Sequence, residues 1–442
     1  MEDYEKIRES LMQFIEQGDD KGLKEYFSTL ELPLKAYLIG HLSENEKLLV
    51  FSLLSLDGKA ELITELDDYS LEVIIRALDS DALSRIADTL DIDEAVDLLS
   101  EVSVQRRDEV VNKVRNAEQV RSLLEYGPET AAGKMTLKYL SLKGDEDIEK
   151  AQKRLRRVKE EEEYKYIYVL DKGGRLKGYV TPWKILTSDP DTKLNQIALP
   201  ICSVTPDTDQ EDVANVAIDY DLLQVPVADN FGHLLGVITI DDLFDVVEEE
   251  ATEDIQHLGG LRVIETAFFP PRRSFNSRIP WLYVKLFSAL IAAMVVGYFG
   301  DVIHAFIGAA IFMPVVAAMG GGAGTQTLSI IVRSIALGEV RYEDVKRLLW
   351  KEVSVGFLTG ISVGVVSSLI AYLWKGNPLF GLVVGLAIII NHISAGLFGV
   401  LIPMVLEKIG VDPAHASSIF LTTITDVVGF IALLGLTKII MT

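Results

Sequence analysis

The chain has 442 residues, a formal net charge of −23 and a single cysteine, Cys202. That length is too great for one hydrophobic core and predicts roughly two to four domains. The acidity argues against nucleic acid, whose phosphates need Lys and Arg, and one thiol excludes intrachain disulfides and thiolate metal clusters. The charge is also unevenly placed. Residues 1–270 carry 57 Asp/Glu against 30 Lys/Arg, a net of −27, and residues 271–442 carry 8 against 12, a net of +4. An acidic soluble region therefore precedes a slightly basic membrane region, and small cations suit the first of them. The opening MEDYEKIRES is charged and amphipathic, unlike a signal peptide, so the N-terminal region is expected in the cytoplasm.

Residues 1–54 read as helix, with Ile7, Leu11, Phe14 and Ile15 at helical spacing. A repeat of twelve residues follows: SLDGKAELITEL (55–66), DDYSLEVIIRAL (67–78), DSDALSRIADTL (79–90) and DIDEAVDLLSEV (91–102). Each unit opens on a Ser or Asp suited to capping and predicts one short helix that must stack on its neighbours, hence an α-helical superhelix over 1–130. Asp91, Asp93, Glu94 and Asp97 are either a solvated capping face or cation ligands.

From about residue 131 strands alternate with helices. YIYVLD (166–171) and GYVT (178–181) are repeated as VPVAD (225–229) and GVITI (236–240). Both copies carry Gly-x-x-Thr, and the pattern resembles a tandem pair of CBS domains over 131–250. That resemblance makes Thr239 and Asp242 candidate nucleotide ligands; the first copy has Lys184 where the second has Asp242. Residues 194–261 contain fifteen carboxylates and no Lys or Arg. Such a run either stays solvated or is relieved by a divalent ion with oxygen ligands. The stretch 242–268 predicts a long acidic connecting helix.

Five hydrophobic spans follow near 281–300, 302–337, 353–374, 379–406 and 417–441. Arg272, Arg273, Arg278, Arg333, Arg341, Lys346, Arg347 and Lys351 flank one side, which places the N-terminus inside and the C-terminus outside. Four glycines within 320–324 are expected to break helix regularity, and so to line a pore or to let two helices pack closely. Asp426 is the sole mid-span carboxylate; its cost in lipid points to a water-filled cation path, the plainer alternative being a carboxylate that snorkels or pairs internally. His392, also inside a span, is expected to make a structural hydrogen bond.

In its order of parts and its motifs the chain resembles the MgtE family of magnesium channels. The residues that carry this are Tyr220-Asp-Leu-Leu-Gln-Val-Pro226, Glu250-Ala-Thr-Glu253-Asp254-Ile, Pro314 with the glycine run and Gln326, Gly410-Val-Asp412-Pro413-Ala, and Thr425-Asp426-Val-Val-Gly429. The resemblance implies a multidomain membrane protein: helical superhelix, tandem α/β CBS domains, an acidic plug helix over 245–275 and an all-α five-helix pore domain over 276–442. It implies a non-enzymatic homodimer in the lipids of the inner membrane, passing Mg2+, with ATP or another adenine nucleotide as the CBS ligand. Asp426 would be the pore aspartate, with Gly320, Gly321, Gly324, Gln326 and Thr422 lining the path. Asp93, Asp97, Asp209, Glu211, Asp221, Asp242, Asp245, Glu250, Glu253, Asp254 and Asp412 would be regulatory Mg2+ ligands that shut the pore. Gly322, Thr325 and Gly396 stand where the resembled pattern has Asn. An ion-coupled exchanger, a Mn2+ or Co2+ channel, and a membrane-tethered nucleotide sensor are the competing readings.

Overall fold

The twelve-residue repeat becomes four short helices, α1 (Leu56–Ile63), α2 (Asp68–Ala77), α3 (Ser80–Ala87) and α4 (Ile92–Ser100). The Ser or Asp at each repeat boundary is the N-cap. Ser55 accepts from the Gly58 amide, Asp67 from Ser70 and Asp79 from Ala82, while Asp91 and Glu94 form a reciprocal capping box. One leucine or isoleucine per repeat (Leu62, Ile74, Leu83, Leu99) is wholly buried. These side chains merge into one core with Val213, Val225 and Ile238 of the following domain.

The computed structural model describes residues 2–157, 164–261, 265–267 and 269–441. It divides into two compact units, Met1–Val247 and Glu248–Thr442. In the first unit, β1 (Leu140–Lys143) runs parallel to β2 (Ile167–Leu170), which pairs antiparallel with β3 (Leu176–Val180). After helix α5 (Gln210–Asp219), β4 (Gln224–Ala228) pairs antiparallel with β5 (Leu234–Thr239). The repeated Gly-x-x-Thr has a steric origin. A Cβ on Gly178 would lie 2.1 Å from the Leu199 carbonyl oxygen, and one on Gly236 would lie 2.6 Å from Met135 Sδ. Another backbone crosses each strand at that point, through the Tyr179–Leu199 and Thr136–Val237 bridges.

The acidic helix α6 (Ile240–Leu258) begins in the first unit and ends in the second. It is shorter than the sequence suggested. It stops before Gly259-Gly260, where Gly260 adopts φ +82°, and the next helix starts only at Pro271. Residues 262–264 and 268 of the expected connecting helix lie outside the described residues. Among the described residues, five helices are long and apolar enough to cross a membrane: α7 (Pro271–Tyr298), α8 (Gly308–Ala336), α9 (Val345–Lys375), α10 (Pro378–Lys408) and α11 (Pro413–Met441).

The glycine run does not break α8, contrary to expectation, and Pro314 also lies within the helix. The reason is that two of the glycines serve packing: a Cβ on Gly320 would lie 2.0 Å from Asn391 Nδ2, and one on Gly324 would lie 3.0 Å from Leu421 Cδ2. A second glycine stripe, unremarked in the sequence, joins α9 to α10. Added Cβ atoms on Gly356, Gly360 and Gly364 would lie 2.5 Å from the His392 oxygen, 3.0 Å from Ile389 Cα and 2.9 Å from the Gly385 oxygen. Spacing of four puts all three on one helix face and brings the backbones together.

Candidate functional site

Within the membrane-spanning unit, α11 is lined with hydroxyls that bond back to their own helix. Thr422 Oγ1 donates to the Ser418 oxygen at 2.9 Å, Thr423 to Ile419 at 2.7 Å and Thr425 to Leu421 at 3.1 Å. Asp426 sits one turn further on and is half-buried. Its charged neighbour is Lys285 of α7, which comes from a different helix and is invisible to a reading of α11 alone. Asn391 on α10 packs between Gly320 and Gly429 and donates from Nδ2 to the Val316 oxygen at 2.9 Å. Its Oδ1 is buried without a hydrogen-bond partner among the described residues.

Of the residues expected to line the path, Gly320 and Gly324 are buried under Asn391 and Leu421 and so serve packing within the chain, a correction. Gln326 is exposed, as are Gly322 and Thr325, whereas Gly321 and Thr422 are partly covered. Gly396 has a steric cause: a Cβ there would lie 2.5 Å from the Glu352 oxygen, so no Asn fits. Glu352, at the edge of the third expected span, is a second acid inside an apolar helix. It is buried about two turns inside α9, accepts from Thr327 Oγ1 at 3.0 Å and pairs with Lys351 at 2.9 Å. His392 Nδ1 lies 3.0 Å from the Ile388 oxygen, in the structural role expected of it.

The end of α6 docks in the same unit. Leu258 packs against Leu328, Val332, Ala414 and Leu421. Buried His257 holds its Nδ1 3.0 Å from Asp412 Oδ2, and its Nε2 lies 3.4 Å from Glu253 Oε1. Asp412 also caps α11, accepting from the Ala414 amide at 2.8 Å. Burial opposes ionisation of Asp412, but the hydrogen bonds from His257 and the Ala414 amide prevail and hold its carboxyl below the usual carboxylate range. Burial, with the Asp412 charge close by, pushes Asp254 up to about 6. Glu250, Glu253, Asp254 and Asp412 thus share one unit, and His257 and His415 join them. The histidines were missed because single imidazoles in QHLGG and DPAH carry no motif.

In the first unit the expected acids separate. Asp93 on α4 and Asp242 on α6 come together. Burial first, then the charges of Asp91 and Asp242, pushes Asp93 up to about 6, and burial raises Asp242 as well. Asp242 also accepts from Thr239 Oγ1, so the pair named for nucleotide binding bond to each other. Lys138, which the sequence did not single out, pairs with Asp91. Asp97 and Asp245 are exposed. Asp209 is the N-cap of α5, accepting from the Glu211 amide at 2.9 Å. Asp221 has φ +51° and edges a cavity of about 400 Å³ walled by Ala214, Leu222, Leu243 and Phe244.

Three sequence families match the chain: "MgtE intracellular N domain" over 35–129, "CBS domain" over 132–191 and 197–249, and "Divalent cation transporter" over 313–436. Among similar proteins, the magnesium transporter MgtE of Thermus thermophilus is 31% identical over 447 residues, covering 99% of this chain and 99% of that one. The magnesium transporter MgtE of Enterococcus faecalis is 34% identical over 312 residues, covering 70% and 69%. A crystal structure of the cytosolic domain of the Mg2+ channel MgtE in complex with ATP is 30% identical, covers 54% of this chain and 99% of that one, and has a TM-score of 0.49.

Proposed function

Because this chain belongs to the MgtE family, we propose that it carries Mg2+ across the membrane through a homodimeric pore and is shut by cytoplasmic Mg2+. The observation that carries the reading is Asp426, a half-buried carboxylate inside the apolar helix α11. A carboxylate at that depth costs several kcal/mol unless it meets water or a cation. Mg2+ sheds its waters reluctantly, so a carboxylate flanked by hydroxyls holds the ion through its hydration shell. The chain performs no bond chemistry.

Closure follows from linkage. Ions that bind the closed arrangement more tightly shift the population toward it. In the first unit Asp93 and Asp242 offer the oxygen ligands, with Asp97, Asp209, Glu211, Asp221 and Asp245 on the same domains. In the second, Glu250, Glu253, Asp254 and Asp412 do so, where α6 docks on the start of the helix that bears Asp426. The N-terminal domains lie in the cytoplasm and the C-terminus outside, and an adenine nucleotide at the CBS pair completes the reading.

The test is divalent-cation uptake into liposomes. Wild-type vesicles load Mg2+ under an applied voltage without any Na+ or H+ gradient, and Asp426→Ala abolishes the flux. Unchanged uptake in that variant overturns the pore assignment, and uptake that needs a coupling gradient favours an exchanger.

A further inference from the structure

The donor set at the end of α6 does not match the ion that the rest of the regulatory surface is built for. His257, Asp412 and His415 each offer one ligand atom, and these atoms all lie within 4.8 Å of one another. Elsewhere the acidic candidates offer oxygen alone, which suits Mg2+. Here two of three donors are imidazoles, which suit Zn2+, Ni2+ and Co2+ far better than Mg2+. Bonds of about 2.0–2.2 Å in a tetrahedral Zn2+ site put neighbouring ligand atoms roughly 3.3–3.5 Å apart. The 3.0 Å between His257 Nδ1 and Asp412 Oδ2 is within a few tenths of an ångström of that spacing. Asp412, 46% exposed at its side chain, has room to adjust and gives the site its opening to solvent.

A second observation supports the geometry independently. Metal-bound histidine commonly gives its other ring N–H to a carboxylate, which fixes the tautomer. His257 has Glu253 placed for that role, with Oε1 3.4 Å from Nε2. His415 is oriented from two sides, edge-on to His257 at 4.5 Å between ring centroids and to Trp281 at 5.0 Å.

We propose that His257, Asp412 and His415 form a binding site for a borderline transition-metal dication, with water as its fourth ligand and Glu253 orienting His257. Such an ion ties the end of α6 to the first turn of α11, which carries Asp426 about 16 Å further along at 1.5 Å per residue. It therefore acts as a closing ligand at lower concentration than Mg2+, a consequence that rests on the gating reading above, whereas the binding site itself does not.

Two measurements on the full-length protein separate these claims. Co2+ is titrated into detergent-solubilised protein held in excess Mg2+, and its visible absorption is followed. The expected result is an intense tetrahedral spectrum that Zn2+ abolishes and Mg2+ does not. His415→Gln loses it, and Glu253→Gln weakens binding roughly 10–100-fold. A weak octahedral spectrum, or one equally strong in His415→Gln, overturns the site. In liposomes, micromolar Zn2+ stops Mg2+ uptake by wild type, and His415→Gln needs at least about tenfold more. Zn2+ that binds without slowing uptake overturns the closing role. Vesicles that never load Mg2+ overturn the transport reading, and the Co2+ spectrum then still decides the site.

Discussion

At the scale of single residues, the most informative groups are those whose surroundings disagree with their chemistry. Asp93 is held up to about 6, first by burial and then by neighbouring acids. A carboxylate raised above its unfolded value destabilises the fold wherever it must ionise. The contribution of Asp93 to the stability of metal-free protein is therefore greatest below about pH 4, where it is protonated in both states, and is lost as pH rises through about 6. Asp93→Asn should raise the pH 7.5 stability of metal-free protein by about 1–3 kcal/mol, since a shift of one unit is about 1.4 kcal/mol. Urea melts at pH 4.5 and 7.5 check this, and a variant equally destabilised at both would refute it. Asn391 makes a second case. Its Nδ2 bonds to Val316 while its Oδ1 is buried and has no hydrogen-bond partner among the described residues. Asn391→Leu overfills the notch between Gly320 and Gly429 and should cost about 1–3 kcal/mol, measured as a lower melting temperature in detergent.

At the scale of elements, the sequence was most legible where one physical rule governs a segment. The twelve-residue repeat became four capped helices because Ser55, Asp67, Asp79 and Asp91 sit where a helix start needs an acceptor. The five spans appeared because about 20 apolar residues have few other uses. The sequence was least legible where two segments decide together. The glycine run was read as a break, yet α8 stays helical because Asn391 and Leu421 fill the notches at Gly320 and Gly324. Asp426 was evident from its depth, but Lys285, His257 and His415 reach their places only through the fold. The two glycine environments also predict different tolerances. Gly360→Leu on α9 should cost about 3 kcal/mol or more and disrupt expression of folded protein. Gly322→Ala on α8, with no atom within 4 Å of its added Cβ, should fold within about 0.5 kcal/mol of wild type. Size-exclusion profiles in detergent distinguish them.

At the scale of the whole molecule, the charge of −27 on residues 1–270 is a store of repulsion. Divalent ions that bind the native acids stabilise by mass action, by about 2.7 kcal/mol at a hundredfold excess over the dissociation constant. Chelation with EDTA should therefore lower the melting temperature of the full chain, and millimolar Mg2+ should restore it. A matched ionic strength of KCl screens exposed charges but fills no site. Equal recovery in KCl would reduce the effect to screening and count against the regulatory ligands. The same comparison applies to cleavage after Glu248, Glu249, Glu250 and Glu253 by a glutamate-specific protease, which Mg2+ should slow.

The glycine stripe between α9 and α10 also bears on how the chain is made. These two helices are consecutive and joined by a short turn at Gly376-Asn377. Their close approach is a local contact, available as soon as both have left the ribosome. α11 is synthesised last, and its carboxylate adds a membrane-insertion penalty on the order of 3 kcal/mol. By then the hairpin already presents Asn391, against which Gly429 seats. Biogenesis thus has a built-in order, in which α9 and α10 assemble the berth and the helix bearing Asp426 arrives to occupy it.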